Sequence, residues 1–275
     1  MKQWITGKNG LVGAELAPKA AFATGREVDI SDFAAVKQWS ERHPDITHII
    51  NCAAYSLVDD AEKQREEAFQ ANVIGPENLA RLGCKLVHIS SDYVFDGKKG
   101  FPLKETDLPS PLNHYGFTKL EGEKRVLAQL PTACVLRTSW IFGAGGKNFV
   151  AKLFRMLQTQ EEIRLSDDQW GRPTYVKDLA QATALLQDKS GVFHFANAGE
   201  TTKYLFGCTM RDIAVELGFE IRCKNILPVP SSFFSSPCKR PTYSAFDTTK
   251  AEKWLPIRPW QEALREFLCA LCIAS

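Results

Sequence analysis

Tyr115 and Lys119 stand four residues apart in the run Asn113-His-Tyr-Gly-Phe-Thr-Lys119, and a serine pair, Ser90-Ser91, closes an apolar run upstream. A spacing of four is about one helical turn, which puts the phenol and the amine on one face. An ammonium there stabilises phenolate and draws the tyrosine pKa down from its usual value of about 10. Hydride transfer to a ketone leaves negative charge on oxygen, so the reaction needs a hydrogen-bond donor, a proton source and a nearby cation. Ser91, Tyr115 and Lys119 supply all three. We expect Ser91 to hold the carbonyl oxygen, Tyr115 to protonate it, and Lys119 to tune the tyrosine and grip a nicotinamide ribose. Each residue also has a plainer use, since serines close many strands and Tyr-to-Lys spacings of four recur on helices by chance.

Chemistry of this kind needs a dinucleotide, and the chain opens with a place for one. An apolar run ending at Thr6 leads into Gly7-Lys-Asn-Gly10-Leu-Val-Gly13. Glycines there permit a tight turn, backbone approach to a diphosphate and close helix packing, with the helix amino terminus facing the anion. Gly7, Gly10, Leu11, Val12 and Gly13 are thus expected at the cofactor. The second strand ends in Ala23-Thr-Gly-Arg-Glu27 without a carboxylate at Thr24 or Gly25 for a ribose hydroxyl. Arg26 is placed to pair with a 2′-phosphate, which favours NADPH over NADH, while Glu27 argues the other way. Asp29 and Ile30 follow near the expected adenine, and Asp29 or Asp32 is equally suited to capping the next helix. Small residues in Asn51-Cys-Ala-Ala-Tyr55 let backbone approach the cofactor at Ala53, Ala54 and Tyr55. Asn72, among apolar neighbours, is expected to tie strands together beneath the site.

These groups are positioned by short apolar runs alternating with amphipathic segments, the pattern of parallel strands joined by crossover helices. Strands are expected near 3–6, 21–24, 47–53, 84–90 and 133–139. Helices are expected over 11–18, from a Ser31 cap through Phe33, Val36 and Trp39, over 60–82 and over 113–130. The fold class is α/β: a doubly wound parallel sheet of Rossmann type with a smaller C-terminal substrate-binding lobe. We divide it into a dinucleotide-binding domain, 1–142 plus 175–195, and a substrate-binding lobe, 143–174 plus 196–275. Beyond Gly143 the pattern loosens, with helices expected over 148–158, 176–187, 248–254 and 260–271. Four prolines between Pro228 and Pro241 punctuate an irregular segment with the character of a substrate lid or of a solvated connector.

The 275 residues carry a net charge of +2, with 44% hydrophobic and 24% charged residues, which gives no basic excess for a nucleic-acid backbone. No apolar stretch approaches the ~20 residues of a membrane span, and no leader precedes the first strand, so we expect a cytoplasmic protein with neither nucleic acid nor membrane as partner. The eight cysteines are scattered, several within apolar runs, and read as reduced thiols; Cys269-Ala-Leu-Cys272 lacks a second ligand pair for zinc.

The sequence resembles the extended short-chain dehydrogenase/reductases, and within them the dTDP-4-dehydrorhamnose reductases, almost from end to end. The most specific stretches are His88-Ile-Ser-Ser-Asp-Tyr-Val-Phe-Asp-Gly97, Asn113-His-Tyr-Gly-Phe-Thr-Lys-Leu-Glu-Gly-Glu123, Arg137-Thr-Ser-Trp-Ile-Phe-Gly143, Asp168-Gln-Trp-Gly-Arg-Pro-Thr174 and Arg240-Pro241. The resemblance implies NAD(P)H-dependent reduction of the 4-keto group of dTDP-4-dehydro-L-rhamnose, with Ser91, Tyr115 and Lys119 in the catalytic positions. It also implies that Ser91, Asp92, Tyr93, Val94, Trp140, Asn148, Arg172 and Arg240 line or flank a sugar-nucleotide cleft, as a monomer or homodimer. Three departures stand out: a shortened first helix, Lys203 where the family commonly has tryptophan, and Ser91 in place of threonine. Glu15 matches a position in an inter-subunit magnesium site of some relatives, but one carboxylate does not establish Mg2+, and no metal ligands are assigned. The chain is similar, too, to the regulatory β subunit of methionine adenosyltransferase, which would make it a non-catalytic binding protein. A reductase or epimerase of another nucleotide sugar is the third alternative.

Overall fold

A computed structural model describes residues 1–145 and 148–274. Its centre is a six-stranded parallel sheet made of β1 (Gln3–Thr6), β2 (Phe22–Thr24), β3 (His48–Asn51), β4 (Lys85–Ser91), β5 (Cys134–Thr138) and, later in the chain, β10 (Gly191–His194). Their order is β10-β5-β4-β3-β1-β2. The direction of winding therefore reverses between β1 and β3, and in such sheets the crevice beyond that reversal binds ligands. Ile5, Ile49, Ile50, Val87 and Leu136 are buried in these strands, as a sheet covered on both faces requires. The connecting helices are α1 (Leu11–Leu16), α2 (Phe33–Arg42), α3 (Arg65–Phe69), α4 (Gly75–Ala80) and α5 (His114–Gln129).

Beyond the fifth strand the chain leaves the sheet through β6 (Ile141–Phe142), α6 (Phe149–Thr159), β7 (Glu162–Ser166), β8 (Trp170–Gly171) and β9 (Thr174–Tyr175). It returns through α7 (Val176–Leu186) to supply β10, then leaves again for β11 (Thr201–Thr202), α8 (Lys203–Glu216), β12 (Asn225–Val229), α9 (Thr249–Glu252) and α10 (Trp260–Ala274). In the outer part β7 pairs with β12 and β8 with β11, while β6 pairs with β9. One apolar cluster runs from Ile5, Val87 and Leu136 of the sheet through Phe142, Tyr175 and Phe206 to Trp260 and Phe267. A shared core of this kind joins the two parts mechanically.

Several expected elements take a different form. The cap of α2 is Asp32, whose carboxylate accepts from the Ala34 amide, while Ser31 instead bonds back to Asp29. The segment expected as one helix over 60–82 is broken: a short 3-10 turn at Asp60–Glu62, then α3, a π-helical turn at Gln70–Ile74, and α4. β10 and α8 had no clear local signature. Their apolar residues are spaced by contacts with β5 and β7, which lie far away in sequence.

Candidate active site

The cofactor side starts at the turn after β1. Gly7 has φ of 71°, the left-handed region open to glycine. A Cβ there would stand 2.6 Å from the Ala53 amide nitrogen, and one on Gly13 would stand 2.1 Å from the Gly7 carbonyl oxygen. The turn is thus folded against both the end of β3 and its own helix, leaving bare backbone at the crevice. Above it lies a cavity of about 760 Å3, lined among others by Gly7, Gly10, Arg26, Asp29, Ile30, Ala53, Ala54 and Tyr55. Its shape and bare glycine floor fit a dinucleotide. Leu11, Val12 and Gly13 are not part of its lining and support the turn from behind. Asn72 also stands back: its Oδ1 accepts from the Tyr55 amide at 2.9 Å, and its Nδ2 donates to the Tyr55 carbonyl and to Thr118 Oγ1. It joins the loop after β3 to α5, where a tie between strands was expected. Glu27, which weighed against Arg26, is engaged by the Lys8 ammonium, and this hydrogen bond holds its pKa down to about 2.

Ser91 ends β4, and α5 lies across that strand. Asn113 caps the helix by accepting from the Gly116 amide at 2.8 Å. A Cβ on Gly116 would meet the Tyr93 carbonyl oxygen at 2.1 Å, so only glycine lets the helix start so close to the loop after β4. Lys119 is buried, and its Nζ donates to the Ile89 carbonyl oxygen of β4 at 2.7 Å. Burial brings its pKa down to about 8. Tyr115 is pushed up to about 12 by burial, against which the hydrogen bond with the Ser91 hydroxyl pulls down. The expected depression of the phenol by Lys119 is therefore corrected: burial raises the phenol pKa, and Ser91 is the group that lowers it. A tyrosine held this way keeps its proton at neutral pH, as a proton donor must. The Tyr93 ring packs edge-on to Tyr115, with centroids 5.6 Å apart.

Next to Ser91 in the chain, Asp92 and Tyr93 line a second cavity of about 350 Å3, whose walls also include Trp140, Gln169, Lys203 and Arg240. Trp140 is the sole non-glycine residue of positive φ, 45°, among the described residues. Its indole lies over Gly171, where a Cβ would stand 2.7 Å from the ring. Backbone strain of that kind persists where surrounding contacts hold it, often at binding sites. Arg240 donates to Asp59 Oδ2 at 2.8 Å and is also bonded to Ser236, so the irregular segment is latched to the loop after β3. Its start is fixed by the Asp168 carboxylate, which accepts from the amide and the hydroxyl of Ser231.

Three expected substrate contacts are corrected by the geometry. Arg172 is 9% exposed and turned inward: Nε donates to the Asn197 carbonyl at 2.9 Å, and Nη1 to the Phe246 carbonyl and Thr248 Oγ1. It clamps three segments instead of lining the cavity. Val94 is fully buried in a cluster with Phe95, Leu103 and Phe246. Asn148 caps α6 by accepting from the Ala151 amide and donating to Gly143 and Gly145 carbonyls; the wall next to it is formed by Phe149 and Val150. Gln169, inside the Asp168–Thr174 stretch, and Ser244 also line this cavity, and Ser244 has no local signal because folding alone brings the chain after Pro241 there.

The sequence profile of the RmlD substrate binding domain family matches residues 1–272. The chain belongs to that family. A dTDP-4-dehydrorhamnose reductase of Streptomyces griseus is 37% identical over 290 residues, covering 98% of this chain and 93% of the relative. Among solved structures, a dTDP-4-dehydrorhamnose reductase of Clostridium acetobutylicum superposes with a TM-score of 0.92 at 33% identity, covering 99% of this chain and 100% of that one. The Bacillus anthracis enzyme of the same name, in complex with NADP, gives 0.90 at 33% identity over 98% and 100% of the two chains. The RmlD relationship, with relatives named dTDP-4-dehydrorhamnose reductase, makes this chain an extended short-chain oxidoreductase. No described helix is long and apolar enough to cross a membrane, and the described residues contain no cluster of three or more metal-ligating side chains.

Proposed function

We propose that this RmlD-family enzyme reduces the 4-keto group of dTDP-4-dehydro-L-rhamnose to dTDP-L-rhamnose, with NADPH as its preferred reductant. The observation that carries this reading is the Ser91–Tyr115 pair, next to a cavity that the adjoining Asp92 and Tyr93 line together with Trp140 and Arg240, in a chain that also has a glycine-floored cavity at the end of β1. NADPH, when bound, supplies a hydride to the carbonyl carbon. Gly7, Gly10, Ala53 and Tyr55 would hold it, and Arg26 would face the 2′-phosphate.

The chain's own residues do the rest. Ser91 donates to the ketone oxygen and fixes it beside Tyr115. As the carbonyl carbon gains its hydride, the oxygen gains an electron pair and takes the Tyr115 proton, leaving a phenolate and an alcohol. The buried Lys119 ammonium, held by the Ile89 carbonyl, offsets the new negative charge on the phenol. Solvent then restores the tyrosine proton. Burial of Lys119 and Asp92 keeps water from screening these interactions.

The direct test offers purified protein dTDP-4-dehydro-L-rhamnose with NADPH or NADH, following loss of the nicotinamide absorbance together with the product sugar. We expect turnover with both and higher kcat/KM with NADPH; no oxidation with either reductant refutes the assignment. Tyr115→Phe removes the donated proton and is expected to lower kcat about 10²–10⁴-fold while NADPH binding changes little. A kcat within about twofold of wild type takes Tyr115 out of the acid role.

A further inference from the structure

Lys203 is an unbalanced charge in the wall of the second cavity. Its Nζ donates to the neutral Gln169 Oε1 at 3.2 Å, and it stands 6.0 Å from the Trp140 ring centroid and 5.8 Å from that of Phe149. Among the described residues no carboxylate lies within ion-pair distance of it. The charged groups that face it are Arg240, which repels it, and Asp168, Asp92 and Asp59, which act at longer range. Burial and Arg240 together bring its pKa down to about 8.

Position adds a second cost. Lys203 is the first residue of α8, where the helix already presents the positive end of its dipole, so a cation there is disfavoured. Desolvation, a like-charged neighbour and the wrong helix end all oppose the ammonium in the folded chain. The two rings offset only part of this. A methionine would fill the same space without these costs. What they create is a concentrated positive potential on one side of a cavity, with Asp92 and Tyr93, next to Ser91, on another.

We infer that Lys203 is a substrate-binding residue whose ammonium, with the Arg240 guanidinium, forms a two-cation cradle for the diphosphate of a nucleotide sugar. This rests on the reductase reading above and adds to it the group that grips the anion. Arg240 is already oriented by Asp59 and Ser236, and Lys203 approaches from α8. A diphosphate between them leaves the Asp92 side of the cavity for the sugar ring. Bound anion restores the full charge of Lys203, so binding takes up a proton near pH 8.

Lys203→Gln keeps a polar group near Gln169 and removes the charge. Calorimetric titration with dTDP and with thymidine, for wild type, Lys203→Gln and Lys203→Arg at pH 7 and pH 9, reads the contact directly. We expect Lys203→Gln to weaken dTDP binding about 10–100-fold, the scale of a charged hydrogen bond, with thymidine binding nearly unchanged and Lys203→Arg retaining most of the dTDP affinity. Wild-type affinity for dTDP should fall from pH 7 to pH 9, and that fall should vanish in Lys203→Gln. The ligand-free Lys203→Gln protein should melt no lower than wild type, which a structural lysine would not allow. The inference is overturned by dTDP affinity within about twofold of wild type in Lys203→Gln, by thymidine binding falling in parallel with a lower melting temperature, or by failure of the wild type to bind dTDP. A wild type that binds dTDP through Lys203 but oxidises no NADPH with the keto sugar upholds the cradle and removes the reaction assignment.

Discussion

Asp92 adjoins Ser91, and burial raises its pKa to about 6 despite hydrogen bonds from Ser244 and Ser91 that favour the carboxylate. In the unfolded chain it titrates near the ordinary aspartate value of 3.8, so between about pH 4 and pH 6 the folded protein holds a proton that the unfolded one has released. Its contribution to stability is fully present below that window and is lost as pH rises through about 6. Comparing melting temperatures of wild type and Asp92→Asn from pH 4 to pH 7 should show a gap opening in favour of the variant as pH rises; a constant gap counts against this assignment. The residues legible in the sequence were those whose roles depend on near neighbours. Tyr115 and Lys119 share a helix face by spacing alone, and Ser91 announces itself by ending an apolar run. The phenol's pKa was not legible, because it is set by burial in the folded chain and by Ser91 and Asp92, which lie far from it in sequence.

Arg172 shows how an element can mislead. In the run Asp168-Gln-Trp-Gly-Arg-Pro-Thr174 it looks like a free cation at a cleft, yet its partners are Asn197, Phe246 and Thr248, 25 to 76 residues away. Arg172→Met should leave the buried Asn197 and Phe246 carbonyls without a donor and cost about 3 kcal/mol of stability, measured by denaturant unfolding. KM for the sugar nucleotide in the folded fraction should stay near the wild-type value; a large rise in KM without loss of stability would return Arg172 to the substrate. The broken helix between α3 and α4 was hidden for a related reason. Its π-helical turn carries Asn72, and the chain there is shaped by Asn72 reaching both Tyr55 and Thr118, which no periodicity within the segment encodes. By contrast α5, with its Asn113 cap, was readable almost to the residue.

At the scale of the molecule, the alternation of apolar and amphipathic runs was enough for a doubly wound sheet and for five of its strands, and hence for the crevice between β1 and β3. The sixth strand was missed because its pairing with β5 is made only after the chain has travelled through the outer lobe. If the crevice binds its dinucleotide in the folded state alone, NADP+ at about 100 times its Kd should add about 2.7 kcal/mol and raise the melting temperature by roughly 5–10 °C. NAD+ at the same concentration should give a smaller shift, since it offers Arg26 no phosphate; equal shifts would argue against discrimination there. The late return of β10 has another bearing. Because the polypeptide shuttles out, back and out again, neither half is a contiguous piece that can be excised and expressed by itself. A truncation after Phe142 would leave the flank of β5 naked and prone to self-association, and a single protease nick in one connection would leave the halves tethered by the others.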